Sequence, residues 1–357
     1  MSTGPRLPLY IKGTVLLLGL FLFVGVLYLA KNIILPFCYA ALLAILISPA
    51  VHFLEKRRVN RALAIGGVLA VAIILIGMVI LLLFSQFSLL SDALPQLTLK
   101  FDELIAKAVQ WTSGYFNISV RKINAWIIET KADMFSNSGA AIGTTLTTIG
   151  GVMATVFLTP VYVFMLLFYQ PHLVAFAHKV FGSRNGLQVD EIFSETKAII
   201  QSYLVGLFAE FAIIAVLNSA GLLILDIDYA ILLGIIGALL NVIPYLGGLI
   251  GVMLFMVIAL VTKSPVYILY VIGLYSLIQL IDNNYIVPHI VGSKVKLNAL
   301  ISLLAVIAGA ALWGIPGMFL SIPMMAIIKL LCDRIDSLKP WGFLLGETTM
   351  PKRKAKS

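Results

Sequence analysis

Few residues in this sequence could do chemistry, and their placement says more than their number. Glu210 lies seven residues into an apolar run from Leu204 to Leu225, with Asn218 two turns later. Asp282 lies toward the end of another apolar run, with Gln279 three residues before it and Asn283 and Asn284 directly after it. A helical repeat of 3.6 residues puts Gln279 and Asp282 on neighbouring positions. An ionisable group in such surroundings costs several kcal/mol unless it faces a partner or a wet cavity, so each is a functional candidate. The amide carbonyls of Asn283 and Asn284 suit a hard cation or a polyol, and a carboxyl such as Glu210 suits a proton carrier. Structural readings stand beside these. Asp282 with its two Asn residues could be a solvated, capped helix end, and Glu210 could hydrogen-bond a neighbouring helix.

Asn241 comes three residues before a proline-glycine break and could either cap a helix or coordinate a solute. His52, His172 and His178 fall near the ends of apolar runs and read as interfacial, whereas His289, after Pro288, reads as a surface residue or a pH sensor. The sequence contains no G-x-S-x-G, H-E-x-x-H, Walker or G-x-G-x-x-G motif, so no catalytic residue, enzyme activity or bound cofactor is expected. Coupling to Na+ or H+ is the remaining inorganic role, and no metal ligand set is assigned.

Of the 357 residues, 61% are hydrophobic and 11% charged. Soluble proteins sit near half apolar and a quarter charged, so the main solvent here is lipid. Thr14 to Ala30, Ile33 to Val51, Ala62 to Phe84, Gly151 to Tyr169 and Leu204 to Leu225 are long enough to cross a hydrocarbon core of about 30 Å as helices. Alternating segments of the outer-membrane barrel type are absent. Thr14 to Ala30 follows a short basic tail but lacks a cleavage pattern, and reads as a retained anchor. The net charge of +9 comes partly from Lys56, Arg57, Arg58 and Arg61 and from Lys352, Arg353, Lys354 and Lys356, short clusters beside apolar runs. By the positive-inside rule both clusters, and both termini, face the cytoplasm, and no nucleic acid partner is implied. Cys38 and Cys332 read as packing residues, and Trp126 and Trp341 as anchors at the membrane surface.

This orientation divides the chain into a three-span region (1–85), an external amphipathic helical insert (86–138), a fourth span with a cytoplasmic helix (139–200), a transport core (201–335) and a basic tail (336–357). In the insert, Leu97, Phe101, Leu104, Ala108 and Trp111 recur at helical spacing. Such a stripe would rest on the membrane or on a second copy, which implies a homo-oligomer. The core holds two apolar stretches of about 34 residues, 229–262 and 297–330, too long for one span and too short for two. The first breaks at Pro244, Gly247 and Gly248, the second at Gly314, Pro316 and Gly317. Proline removes a donor and glycine lets the chain turn, so each stretch is expected to form a re-entrant hairpin with halves of about 15 residues. Gly237-Ala238-x-Leu240-x-x-Ile243-Pro244 recurs as Gly309-Ala310-x-Leu312-x-x-Ile315-Pro316, and the span between them makes the hairpins enter from opposite sides. Opposed broken helices of this kind surround midplane sites in transporters. The expected fold is therefore all-α, a polytopic transmembrane bundle with two opposed re-entrant hairpins and a small external insert.

Three stretches carry a family resemblance. Gly234 to Gly251 (GIIGALLNVIPYLGGLIG), Asp282 to Gly292 (DNNYIVPHIVG) and Ala311 to Pro323 (ALWGIPGMFLSIP) resemble the hairpins and the Asn-containing segment of the AI-2E family of bacterial transporters. The resemblance covers nearly the whole chain to about Ile335. It implies secondary transport in the bacterial inner membrane, as efflux of a small polar signal or metabolite such as autoinducer-2, or as sodium(cation)/proton antiport. A non-transporting scaffold is the third reading. Two positions depart from the family pattern: Val205-Gly206-Leu207 keeps only the glycine of an Arg-Gly-Gln motif, and His289 replaces an arginine.

Overall fold

The computed structural model describes residues 8–116, 119–121, 156–180, 186–243, 246–291 and 297–347. Within them the chain is helical, with an isolated antiparallel bridge between Leu297 and Gly346. Helix α1 (Leu9–Leu29) is followed after Ala30 by α2 (Lys31–Lys56), and α3 runs from Arg61 to Phe116. Then come α4 (Val156–Val180), α5 (Gly186–Ile224), α6 (Ala230–Asn241) and α7 (Leu246–Thr262). Helix α8 (Tyr267–Ile281) passes into a π-helical segment, Asp282–Val291, before α9 (Ala299–Trp313), α10 (Ile315–Arg334) and the short α11 (Lys339–Leu345).

Six of the described helices carry stretches long and apolar enough to cross a membrane: α1, α2, the first half of α3, α4, α5 and α10. The chain is a multi-pass membrane protein. Leu16, Phe21, Leu29, Leu63 and Leu81 stand out from α1 and α3, each more than half exposed, as side chains facing lipid do.

Two elements run further than the hydropathy pattern suggests. The third span was expected to end before Gln86. Instead α3 continues without interruption through Pro95 and the first part of the expected insert, 56 residues in all. Likewise α5 joins the expected cytoplasmic helix and the fifth span into a single helix of 39 residues. Hydropathy marks where lipid ends, but a backbone that is already hydrogen-bonded crosses that boundary without a new cap. The remainder of the expected insert, from 122 to 138, lies outside the described residues.

The chain forms two compact units. One comprises Met1–Pro49, Ala154–Gln201 and Val295–Ser357, the other Ala50–Met153 and Ser202–Lys294. The stretch 201–335, expected as one core, is divided between them, with one broken stretch in each.

In the second unit, α6, which ends at Asn241, and α7, which begins at Leu246, pack against each other. In the first, α9 and α10 do the same around Gly314, whose φ of 67° is the turn itself. Both helix pairs close on small residues, as membrane helices must when lipid is as apolar as leucine. Gly251 stands 3.6 Å from the Gly237 Cα, measured from where its Cβ would be, and a Cβ on Gly309 would overlap the Gly317 carbonyl. The repeated glycine of the sequence, 237 and 309, is the contact point in each pair. The tips differ, because Pro316 and Gly317 belong to the first turn of α10 and not to the break. Helix α10 is consequently 20 residues, about 30 Å long and so long enough to cross the hydrocarbon, where a half of about 15 residues was expected.

Candidate functional site

The polar site lies wholly in the unit formed by Ala50–Met153 and Ser202–Lys294, and an apolar cluster positions it. Ile214 of α5, Ala238 of α6, Ile278 of α8 and Ile286 of the π-helical segment are buried together, with Phe211, Leu217, Leu274 and Ile290 packed around them. These are the elements that carry Glu210, Asn241, Gln279 and Asp282. Close approach is again secured by glycines: a Cβ on Gly221 would overlap Leu274 at 2.6 Å, and one on Gly234 would meet the Ser219 backbone nitrogen at 2.5 Å. Phe255 of α7 sits edge-on to Tyr275 of α8, ring centroids 6.1 Å apart.

Held in this way, Asn241 at the end of α6 becomes the hub of a hydrogen-bonded network. Its Nδ2 donates to Asp282 Oδ2 at 3.0 Å and to Glu210 Oε1 at 3.5 Å, so two carboxyl groups on different helices share one amide nitrogen. Its Oδ1 accepts from Gln279 Nε2 at 3.2 Å, and the same nitrogen donates to the Tyr275 hydroxyl at 2.5 Å. Asp282 is 2% exposed and Glu210 9%, whereas Asn241, Gln279 and Tyr275 are half-buried. One face of the cluster is therefore closed by protein and the other is open.

Two acceptors in this region are unfilled: Asp282 Oδ1 and Asn218 Oδ1 are buried without a hydrogen-bond partner. Leaving such an atom unpaired costs about 1–3 kcal/mol, more when it belongs to a charged group. Native structures hold few of them, and those that occur call for a reason. A carboxylate oxygen without a partner, on a side chain whose other oxygen joins a cluster with a second carboxyl and two amide side chains, can receive a hydroxyl, an amine, a proton or a hard cation. Among the described residues no group of three or more His, Cys, Asp and Glu side chains is disposed to hold a metal ion.

The backbone changes character at the same place. Asp282 is the first residue after α8 and opens ten residues of π-helix that include Pro288. Segments of π-helix are rare and concentrate at functional sites.

Of the residues singled out from sequence, the structure brings Glu210, Asn241, Gln279 and Asp282 together. Asn283 and Asn284 are exposed, and Asn284 Nδ2 donates back to the Leu280 carbonyl at 2.8 Å. His289 Nδ1 pairs with the Tyr285 carbonyl at 2.8 Å. Pro244 lies outside the described residues. Gly247 is buried, and a Cβ there would overlap the Leu240 carbonyl. Gly248 adjoins the network directly, because its Cβ would overlap the Tyr275 hydroxyl and stand 2.7 Å from Gln279 Nε2. Gly314 and Pro316 are exposed and Gly317 buried, all three in the other compact unit. Tyr275 is the participant that sequence reasoning missed. Its signal was present, since residues four apart share a helix face and Gln279 was already a candidate.

Comparison with known proteins adds an independent line. A model of the family described as AI-2E family transporter matches residues 17–336. The chain is 28% identical over 327 residues to the AI-2 transport protein TqsA of Escherichia coli (strain K12), an alignment covering 89% of this chain and 90% of that one. It is 25% identical over 330 residues to "Putative transport protein YueF" of Bacillus subtilis (strain 168), covering 87% and 86% of the two chains.

Proposed function

Because the chain belongs to the AI-2E family of transporters, we propose that it is a secondary transporter that exports a small polar signal or metabolite, such as autoinducer-2, across the bacterial inner membrane. The observation that carries this reading is the buried network in which Asn241 bridges Glu210 and Asp282. Such a network is costly inside a membrane bundle and has no place in a passive anchor. Gln279 and Tyr275 hold Asn241 in position, and Asp282 Oδ1 is the acceptor offered to a hydroxyl of the solute. That one relative is named for AI-2 transport supports the solute class. The basic clusters support cytoplasmic termini, and the exposed apolar faces of α1 and α3 support a homo-oligomer in which lipid and a second copy share the covering.

The same carboxylate oxygen favours a second reading, a sodium(cation)/proton antiporter, because two carboxyls sharing one donor are suited to exchange a cation for a proton. Purified protein in liposomes separates the two. Release of a loaded autoinducer-2-like polyol supports export, sodium-dependent proton flux without polyol release supports antiport, and no flux of either kind returns the protein to a scaffold. Glu210→Gln and Asp282→Asn sharpen the result: antiport is abolished by either change, whereas export is impaired by Asp282→Asn and tolerates Glu210→Gln.

A further inference from the structure

At the far end of α10 from the break lies a small surface that transport does not use. Helix α11 packs back against the last turn of α10: Gly342 is buried, and a Cβ there would overlap the Asp333 carboxyl. Leu338 and Leu345, four residues before Gly342 and three after it, are half-buried on the same side. The other side is unpartnered and apolar. Trp341 is 60% exposed, Phe343 83% and Leu344 55%.

This face is fixed in place. The Asn298 side chain caps α9 through Ile301 N at 2.8 Å, while its Nδ2 donates to the carbonyls of Leu344 at 2.7 Å and Gly346 at 3.2 Å. The Asn298 amide also donates to the Leu345 carbonyl at 3.1 Å, next to the Leu297–Gly346 bridge. Thus α11 is clamped to the foot of the α9–α10 pair with three large apolar side chains turned outward.

We infer that this face of α11 is an anchor seated in the bilayer surface beside α10, recognising anionic lipid headgroups. Two observations select that occupant over others. First, α10 is a full-length apolar span that ends at Arg334, and α11 begins five residues later, so the face lies where the hydrocarbon gives way to headgroups. Second, from Arg334 to Ser357 the sequence holds six basic residues (Arg334, Lys339, Lys352, Arg353, Lys354, Lys356) against two acidic ones (Asp336, Glu347). Arg334 is taken up by Glu191 and Glu195, and Lys339 by Asp336. The four terminal bases follow within 11 residues of Leu345 (356 minus 345) in the sequence. An aromatic and aliphatic face backed by basic charge is the composition that binds anionic membrane surfaces.

The test uses the full-length protein in lipid nanodiscs, with Cys38→Ala and Cys332→Ala as background and a fluorescent label on Phe343→Cys. Brominated acyl chains should quench that label by about half or more, as expected for a side chain at the acyl boundary. In discs with about 30% anionic lipid the quenching should exceed that in purely zwitterionic discs, and Lys352, Arg353, Lys354 and Lys356→Gln should remove the difference. A label on Phe21→Cys, exposed on α1, reports that the protein has inserted. Quenching at Phe21 with none at Phe343 overturns the inference. So does a Phe343 label that becomes shielded only when two copies share a disc, which would make the occupant a second chain. Equal quenching with and without anionic lipid refutes the headgroup assignment.

Discussion

Gly248→Ala adds a single methyl group to the edge of the polar network, and the structure fixes where it goes. The new carbon would stand 2.7 Å from Gln279 Nε2, and ordinary contact begins at 3.4 Å, so the amide must withdraw by 0.7 Å (3.4 minus 2.7). The Tyr275 hydroxyl, overlapped by the same methyl, has to move as well. The methyl would stand 3.5 Å from Asn241 Oδ1, so it pushes the amide obliquely to its bond with Asn241 and stretches that bond from 3.2 Å to about 3.5 Å, the weak limit of hydrogen bonding. The change weakens one neutral hydrogen bond and displaces the Tyr275 hydroxyl beside it, which costs about 1 kcal/mol. At about 1.4 kcal/mol per tenfold, KM for the transported solute should rise roughly 5-fold. Loss of the helix is not a rival explanation, since alanine is the better helix former by about 1 kcal/mol. Initial rates in proteoliposomes against solute concentration give KM, and immunodetection gives abundance. Gly273→Ala on α8 is the control, because its Cβ meets nothing within 4 Å. A wild-type KM in Gly248→Ala would refute the placing of the solute at this network.

Asp282→Asn keeps the shape and can still accept from Asn241, but it removes a buried charge; transport should fall about 10- to 100-fold, the worth of a hydrogen bond to a charged group. Wild-type flux at normal abundance would show that the site lies elsewhere. Gly309→Ala or Gly317→Ala forces apart two backbones already in contact, so unfolding free energy in detergent should drop by about 1–3 kcal/mol, whereas Gly25→Ala, in helix α1 with open space around it, should not lower it. The hydrogen bond from Lys263 to Asp226 at 2.6 Å raises the Lys263 pKa above its ordinary 10.5. Its stabilising contribution is therefore complete at neutral pH and disappears as pH climbs through the raised value. Asp226→Asn should lower stability near pH 7 and converge with the parent in strong alkali, as followed by thermal melts across pH. Thiol labelling of intact cells should reach Ser113→Cys on α3 and not Ser357→Cys, and the reverse pattern would invert the topology.

Much of the site could be read from the sequence because polarity is conspicuous in an apolar chain. Glu210, Asn241, Gln279 and Asp282 stand out in runs of Leu, Ile and Val, and they converge in the fold. The breaks near 244 and 314 were equally plain, since proline and glycine are the residues that interrupt a helix in lipid. What escaped were features without a compositional mark. Asn283 and Asn284 carry suitable groups, but adjacent residues cannot share the direction of Asp282, and both point outward. Tyr275 looked like any other tyrosine in a span. The continuity of α3 and α5 was hidden because a polar stretch follows the apolar run of α3 and precedes that of α5, and each polar stretch read as a separate helix. Pro95 lies inside α3 without ending it.

The unbroken course of α3 has a thermodynamic consequence. Starting a helix is the unfavourable step and lengthening it is easy, so a single helix of 56 residues, about 84 Å long, needs one nucleation event where a span and a separate outer helix would need two. The hydrocarbon accounts for about 30 Å of that length, and the segment embedded there serves as a permanent nucleus for all that lies beyond it. Fraying can then start only at the Phe116 end and must travel inward turn by turn. Amides from Gln96 to Gln110 should exchange with solvent far more slowly than those of an isolated peptide of the same sequence.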